Sequence, residues 1–375
     1  MKKILDILLV KVDAFDSVGI LNSIEGMNKS YVLITFNPKK GIYLGKNSLG
    51  LKKKTLSKLA LTNINNKIYY FLSPIIFLYD YFRFFFQIYN FTRNFKIINN
   101  VYCDNTFLSF ILAILKKTKK IKSFIYASHD WLPYYSQNKF WSSIGLKTFI
   151  YFDYFASINS NYIFNHTKMV SDLRNQYWNN KFVDKSIYFK PNFHFNINNS
   201  SSNKNKNQLC FLGLAKDYKG LEIILKAIRN TDYFLIIAGM NNDITSELES
   251  FCEREALSHK LKVTGYIDRD EMINIVKSSL IGFNITSKKS YTDIVLPSKF
   301  YDYILNNTPC IISNNQIISK EILNKTNIGL AIDSLNTDNV IEAILKIFNN
   351  YDYYQEKIRD YSNHYQPTNL KKFFI

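Results

Sequence analysis

The segment Leu296-Pro297-Ser298-Lys299-Phe300-Tyr301-Asp302 places a cation and a carboxylate on the first turn of a short amphipathic stretch, which Thr308-Pro309 must end. Pro297 holds the residue before it in extended geometry and Ser298 is a natural N-cap, so the spacing predicts a helix whose leading N–H groups face an anion. Lys299 adds positive charge at that end. Asp302 follows one turn later, about the distance that separates a diphosphate from the ribose hydroxyls of a nucleotide, and a carboxylate suits a vicinal diol. The chemistry indicated is the binding of a nucleotide-sugar; the plain alternative is an ordinary capped helix of an α/β domain.

A second basic segment, Phe211-Leu212-Gly213-Leu214-Ala215-Lys216-Asp217-Tyr218-Lys219-Gly220, follows an apolar run and opens a helical one. Gly213 permits a sharp turn, and Lys216 and Lys219 project charge suited to phosphate, although a lysine pair before a helix is otherwise a solvated face. In the first half, Ile125-Tyr126-Ala127-Ser128-His129-Asp130-Trp131 sets His129 at the end of an apolar strand, either as a structural histidine or as a group reaching substrate. Asp293 precedes the Ser298 segment and by itself reads as a loop cap. Gly19 stands in an early turn, and Lys262-Val263-Thr264-Gly265-Tyr266 forms a later one.

These segments resemble retaining GT-B glycosyltransferases of family 4, also called group 1. The Ser298 stretch is similar to their Pro-Ser-Lys-x-Phe-Glu-Tyr-x-x-x-Gly-x-Pro run, whose helix holds the nucleotide diphosphate and whose glutamate binds ribose. Lys219-Gly220 matches the end of their Gly-Arg-x5-Lys-Gly loop, and Gly265-Tyr266 their turn toward the base. The resemblance implies donor binding by Gly19, Gly213, Lys216, Lys219, Tyr266, Ser298, Lys299 and Asp302. It implies catalytic roles for His129, Lys219 and Asp293, no cofactor, and cationic side chains in place of a metal. Four positions depart from the pattern: Asp302 replaces the glutamate, Asn307 the glycine, Leu214 the arginine and Ile294 a second glutamate, for which Asp293 is the nearest acid.

The elements that must position these residues alternate regularly after the polar tract 196–207. Strands are expected at Gln208 to Leu212, Tyr233 to Ala238, Leu261 to Thr264 and Leu280 to Asn284, with helices between them, which means a parallel sheet. The first half alternates less cleanly, with strands at Ile4 to Val10, Tyr31 to Phe36, Ile97 to Tyr102 and Ser123 to Ala127, and helices at 17–27, 68–92 and 107–116. The expected fold is α/β with two Rossmann-like domains facing a cleft: an acceptor-binding and membrane-facing domain over 1–195, a linker over 196–207, and a nucleotide-sugar domain over 208–348. A helical tail over 349–375 completes it, packing back on the first domain.

The formal charge of +18 is concentrated in the first half, since residues 1–128 hold 20 Lys and Arg against 6 Asp and Glu, while residues 206–375 hold 20 of each. Such a field attracts a polyanion. Beside Lys52, Lys53, Lys54, Lys58 and Lys67 runs an aromatic tract from Ile68 to Tyr89, broken by Pro74, Asp80 and Arg83. Those breaks argue against a membrane span, which takes about 20 predominantly apolar residues. Either the tract is a buried helix or it lies at an anionic membrane surface, or it buries one face and dips the other. No nucleic-acid motif accompanies the charge. Four dispersed cysteines without a C-x-x-C pair fit a reducing compartment. Met1-Lys2-Lys3 leads into a short strand containing Asp6 rather than a signal peptide, so the protein is expected in the cytoplasm, peripheral on the inner face of the cell membrane.

The expected activity is transfer of a sugar from a nucleotide-sugar to a lipid-linked or surface-glycan acceptor. The alternatives are an epimerase-like enzyme on the same fold, or a catalytically degenerate protein serving as a membrane-bound subunit.

Overall fold

The computed structural model describes residues 3–12, 24, 27, 29–37, 41–47, 82, 85–128, 131–134, 140–191, 204–213, 219–239, 242–286, 293–333 and 336–374. The chain divides into two compact units, Met1–Phe193 with Pro367–Ile375, and His194–Gln366.

The first unit is built on a seven-stranded sheet of β1 (Lys3–Val12), β2 (Tyr31–Asn37), β3 (Gly41–Asn47), β4 (Phe95–Cys103), β5 (Ile121–Ser128), β6 (Tyr162–Asn165) and β7 (Ser186–Tyr188), ordered β3-β2-β1-β4-β5-β6-β7. All pairings are parallel except β2 with β3. Leu5, Ile7, Leu8, Leu9 and Val10 of β1 are all fully buried, the signature of a central strand covered on both faces. Strand order reverses between β1 and β4, where Asp104 N–H donates to the Val10 carbonyl at 3.4 Å.

Helix Thr106–Lys117, capped by the Asn105 side chain, packs on the sheet with helix Phe140–Asn159 through the rings of Phe107, Phe110 and Phe152. Of the tract expected as a helix over 68–92, residue 82 and residues 85–92 are described and helical. Ile88 and Thr92 are buried there, Phe85 and Phe91 pack on the core, and Phe86 and Tyr89 face outward. The expected helix over 17–27 lies outside the described residues except for Ile24 and Met27.

The second unit carries an all-parallel six-stranded sheet of β8 (Asn205–Leu212), β9 (Phe234–Ala238), β10 (Leu261–Val263), β11 (Ser279–Asn284), β12 (Cys310–Ser313) and β13 (Gly329–Ile332), ordered β10-β9-β8-β11-β12-β13. This is the Rossmann order, and its reversal point lies between β8 and β11. β8 begins three residues before the expected Gln208, inside the polar tract. Asn205 pairs with Ser279, and Lys204 donates to the Ser279 carbonyl at 3.0 Å and to Thr308 Oγ1 at 2.8 Å. Burial lowers the Lys204 pKa to about 8. Most of the remaining tract lies outside the described residues.

The stretch from 349 onward divides between the units. Helix Tyr351–His364 buries Tyr354 and Ile358 in the second, whereas Leu370 and Phe374 enter the core of the first beside Ile7, Phe164 and Phe189. Lys190 and Thr368 fasten that return with paired hydrogen bonds, Lys190 N–H to Thr368 Oγ1 at 2.8 Å and Thr368 N–H to the Lys190 carbonyl at 3.0 Å.

Candidate functional site

Three glycines end three adjacent strands of the second sheet in the left-handed conformation: Gly213 at φ +75°, Gly239 at +90° and Gly265 at +65°. Only glycine adopts such angles without penalty. Their turns interlock, because Gly213 N–H donates to the Ala238 carbonyl at 2.7 Å and Gly239 N–H to the Gly265 carbonyl at 2.8 Å. A Cβ on Gly239 would lie 3.4 Å from Gly213 Cα. At these three positions of the carboxyl edge of β8, β9 and β10 no side chain stands over the backbone, and a ligand can approach the main chain closely. Tyr266, next along, is largely exposed.

The Ser298 helix reaches the same edge. It spans Ser298–Leu305, and its N-cap is Pro297 (φ −64°, ψ 143°) rather than Ser298. Pro297 is extended there, so Ser298 becomes the first helical residue, exposed at the front, and no side chain caps the helix. The helix is pinned from behind by Tyr303. Its hydroxyl donates to the Phe283 carbonyl at 2.8 Å and accepts from Leu212 N–H at 3.2 Å, one residue before Gly213. A Cβ on Gly282 would fall 2.3 Å from the Tyr303 ring, so β11 must carry glycine for the helix to dock. At the far end Asn307 takes the place of the family's glycine with φ +52°, a left-handed angle that asparagine tolerates better than most residues.

Lys299 folds back so that its ammonium lies 4.2 Å from the centroid of the Phe211 ring on β8. Burial lowers its pKa to about 8, with Asp302 opposing the shift. The charge thus sits beside the Gly213 turn, where an anion would favour it further. Asp302 is nearly buried and meets Arg269 Nη2 at 2.9 Å. Arg269 opens helix Arg269–Ser278, which is capped by the Asp268 side chain and follows the Gly265-Tyr266 turn. Sequence reading passed over Arg269, because 33 residues separate it from its partner. Only the parallel alternation, which packs successive helices side by side, hinted at the meeting.

Lys219 opens helix Lys219–Ala227. Gly220 is required there, since a Cβ would lie 2.6 Å from Ile285 Cγ2 just beyond β11. Asp293 is buried, and its Oδ1 accepts from Asn315 Nδ2 at 3.0 Å; Asn315 also donates to Thr286 Oγ1 at 3.2 Å, tying the carboxylate to the ends of β11 and β12. Ile294 is core. Gly19, His129, Lys216 and Leu214 lie outside the described residues.

On either side of His129 the first unit is built around a buried ion pair. Arg174 and Asp153, both without solvent exposure, meet at 2.9 Å, and Trp178 and Tyr126 also donate to Asp153. Arg174 bonds Ser128, the last residue of β5, and Asn165, and its guanidinium lies 5.3 Å from the Trp131 ring. Ser128 and Trp131 are thus both held against Arg174. Among the described residues no group of three or more His, Cys, Asp or Glu is placed to hold a metal ion, and no helix is long and apolar enough to cross a membrane. All four cysteines are buried and unbridged.

Residues 192–364 match the family described as glycosyl transferases group 1. That match takes in nearly the whole of the second unit, and the chain is a glycosyltransferase. Solved structures share the fold over its length. A sucrose-phosphate synthase from Thermosynechococcus elongatus covers 99% of this chain and 95% of its own with a TM-score of 0.66 at 11% identity. Anabaena HepE, in complex with UDP-glucose, covers 98% and 95% with a TM-score of 0.63 at 9% identity. WaaG, a glycosyltransferase involved in lipopolysaccharide biosynthesis, covers 96% of each chain with a TM-score of 0.61 at 9% identity. At such identity these relatives define the fold alone, two Rossmann-like domains of the GT-B type. No curated protein matches the chain.

Proposed function

We propose that this glycosyltransferase moves a sugar from a nucleotide-sugar donor to a lipid-linked or surface-glycan acceptor, with retention of configuration and without a metal. One observation carries the reading. The glycine-rich carboxyl edge, the uncapped front of the Ser298 helix and the Lys299 ammonium beside Phe211 belong to one small region of the group 1 domain. Backbone N–H groups and a lysine converging in this way suit a diphosphate. The UDP-glucose bound by Anabaena HepE supports a nucleotide-sugar as donor.

Charge develops on the departing diphosphate during transfer, and stabilising it is the largest catalytic contribution available to these residues. Lys216, Lys219, Lys299 and the helix front supply that stabilisation in place of a metal. Asp302 serves the ribose, Tyr266 lies on the side of the base, and Gly213 lets the main chain approach the phosphates. By the family resemblance Gly19 serves the donor phosphates, His129 the donor sugar and acceptor, and Asp293 the donor sugar. The acceptor hydroxyl enters on the face from which the diphosphate leaves.

The basic excess of the first half, with Phe82, Phe86 and Tyr89 turned outward and Arg93 and Lys96 exposed close by, supports peripheral attachment to the anionic inner face of the cell membrane. WaaG's part in lipopolysaccharide biosynthesis supports a surface-glycan acceptor.

The test is a thermal-shift screen of nucleotide-sugars, in which a donor at 100-fold its Kd adds about 2.7 kcal/mol of stability. Transfer of the labelled sugar from the best donor to a membrane fraction follows, with and without chelator, and product anomeric configuration is read by NMR. Inversion, or loss of transfer with chelator, would correct the mechanism. Absence of both transfer and hydrolysis with every donor would favour the degenerate reading that the changes at Leu214, Ile294 and Asp302 suggest.

A further inference from the structure

The pair formed by Arg269 and Asp302 carries an inference that rests on the donor reading and extends it. Asp302 stands in the second turn of the Ser298 helix, facing helix Arg269–Ser278, and Arg269 rises from the first position of that helix. The two side chains meet at 2.9 Å, yet they are unequally accessible: 44% of the Arg269 side chain is exposed against 12% of Asp302. A ligand reaching this place meets mainly guanidinium.

That inequality matters because Asp302 is one methylene shorter than the glutamate its family resemblance leads one to expect. A vicinal diol presents two hydroxyls, each both donor and acceptor. A carboxylate alone serves it by accepting twice, for which both oxygens must reach. A carboxylate and a guanidinium side by side serve it differently, one accepting from one hydroxyl and the other donating to its neighbour's oxygen. The fork of an arginine suits that second role, and its position after the Gly265-Tyr266 turn sets it on the side from which the nucleoside approaches.

We propose that Arg269 is a donor-binding residue which, together with Asp302, reads the ribose diol of the nucleotide as a mixed donor and acceptor pair. Arg269 makes up the reach that the shorter acid lacks.

The experiment is calorimetric titration of the full chain with UDP, GDP and ADP, and with dTDP, whose sugar has no vicinal diol, using wild type and the variants Arg269→Ala, Arg269→Lys, Asp302→Ala and the double alanine. Each single alanine is expected to raise the Kd of the preferred ribonucleotide about tenfold, and the double variant to be little worse than either single one, because paired groups that act as a unit are not additive. Arg269→Lys recovers only part of the loss. dTDP binds more weakly than the preferred ribonucleotide and is indifferent to all four changes. Thermal unfolding of each unliganded variant confirms that the fold is retained. Unchanged ribonucleotide affinity in Arg269→Ala, beside a clear loss in Asp302→Ala, overturns the role of Arg269 and leaves the donor reading standing. Tighter binding in Arg269→Ala also overturns it, by showing that the arginine occupies the carboxylate at the ligand's expense. Failure of the wild type to bind any of the nucleotides sinks the donor reading and this inference together.

Discussion

Lys299 pays for its position. Its pKa in the folded chain, about 8, lies below the usual 10.5, so protonation disfavours the fold. The penalty is complete below about pH 8 and fades as pH rises from about 8 to 10.5. Lys299→Met should therefore raise the thermal midpoint at pH 7, with the gain vanishing near pH 10.5, while diphosphate affinity falls. Midpoints at both pH values and one titration check this, and equal affinity would remove Lys299 from the site. The Ser298 helix and the Gly213 turn were legible at the residue scale. Ser298 as N-cap was misread because a proline that ends an extended approach can itself be the boundary residue. Arg269 was invisible, since nothing in a linear spacing says which exposed arginine meets which acid across two helices.

Elements fared according to how strongly their pattern repeats. Strands β8 to β11 came through because each is an apolar run between a helix and a turn, and β11 is buried at every position, whereas the four-residue β12 and β13 were not anticipated. The short β6 and β7 and the antiparallel β3 were not anticipated either. Helix Phe140–Asn159 was missed because aromatic residues recur all around it, leaving no polar face to show a period. What the sequence hid most completely was the fastening of one element to another by Tyr303. Tyr303→Phe removes a hydroxyl that serves both Leu212 and Phe283 inside the core, leaving two buried backbone groups without that partner. The expected cost is about 1–3 kcal/mol. Because Leu212 precedes Gly213, donor affinity should fall as well. Chemical denaturation and nucleotide titration read the two effects separately, and a loss of stability with affinity unchanged would detach Tyr303 from the site.

For the whole molecule, the two-domain α/β organisation was legible in the alternation and in the polar tract between the halves, and the uneven charge already distinguished them. The exposed rings of Phe82, Phe86 and Tyr89, with the exposed Arg93 and Lys96, belong to that charged half. The intact protein should float with anionic vesicles, weaken with salt and lose most binding when Phe86 and Tyr89 are both changed to serine, since each nearby cation adds about 1 kcal/mol and the buried rings supply the rest. Equal flotation with neutral vesicles, or indifference to the double change, would point the basic half elsewhere.

Leu370 and Phe374 carry a further consequence. They complete the hydrophobic core of the first unit, yet they are synthesised after the whole of the second. On the ribosome the sheet of β1 to β7 lacks those two side chains for as long as the second unit is being made. The core of the first unit is thus completed only after the second has been synthesised. Removing 367–375 should leave the group 1 domain folded and able to bind nucleotide, while amide exchange in β1, β5 and β6 quickens. Unchanged protection in those strands would show that the early residues close their core unaided.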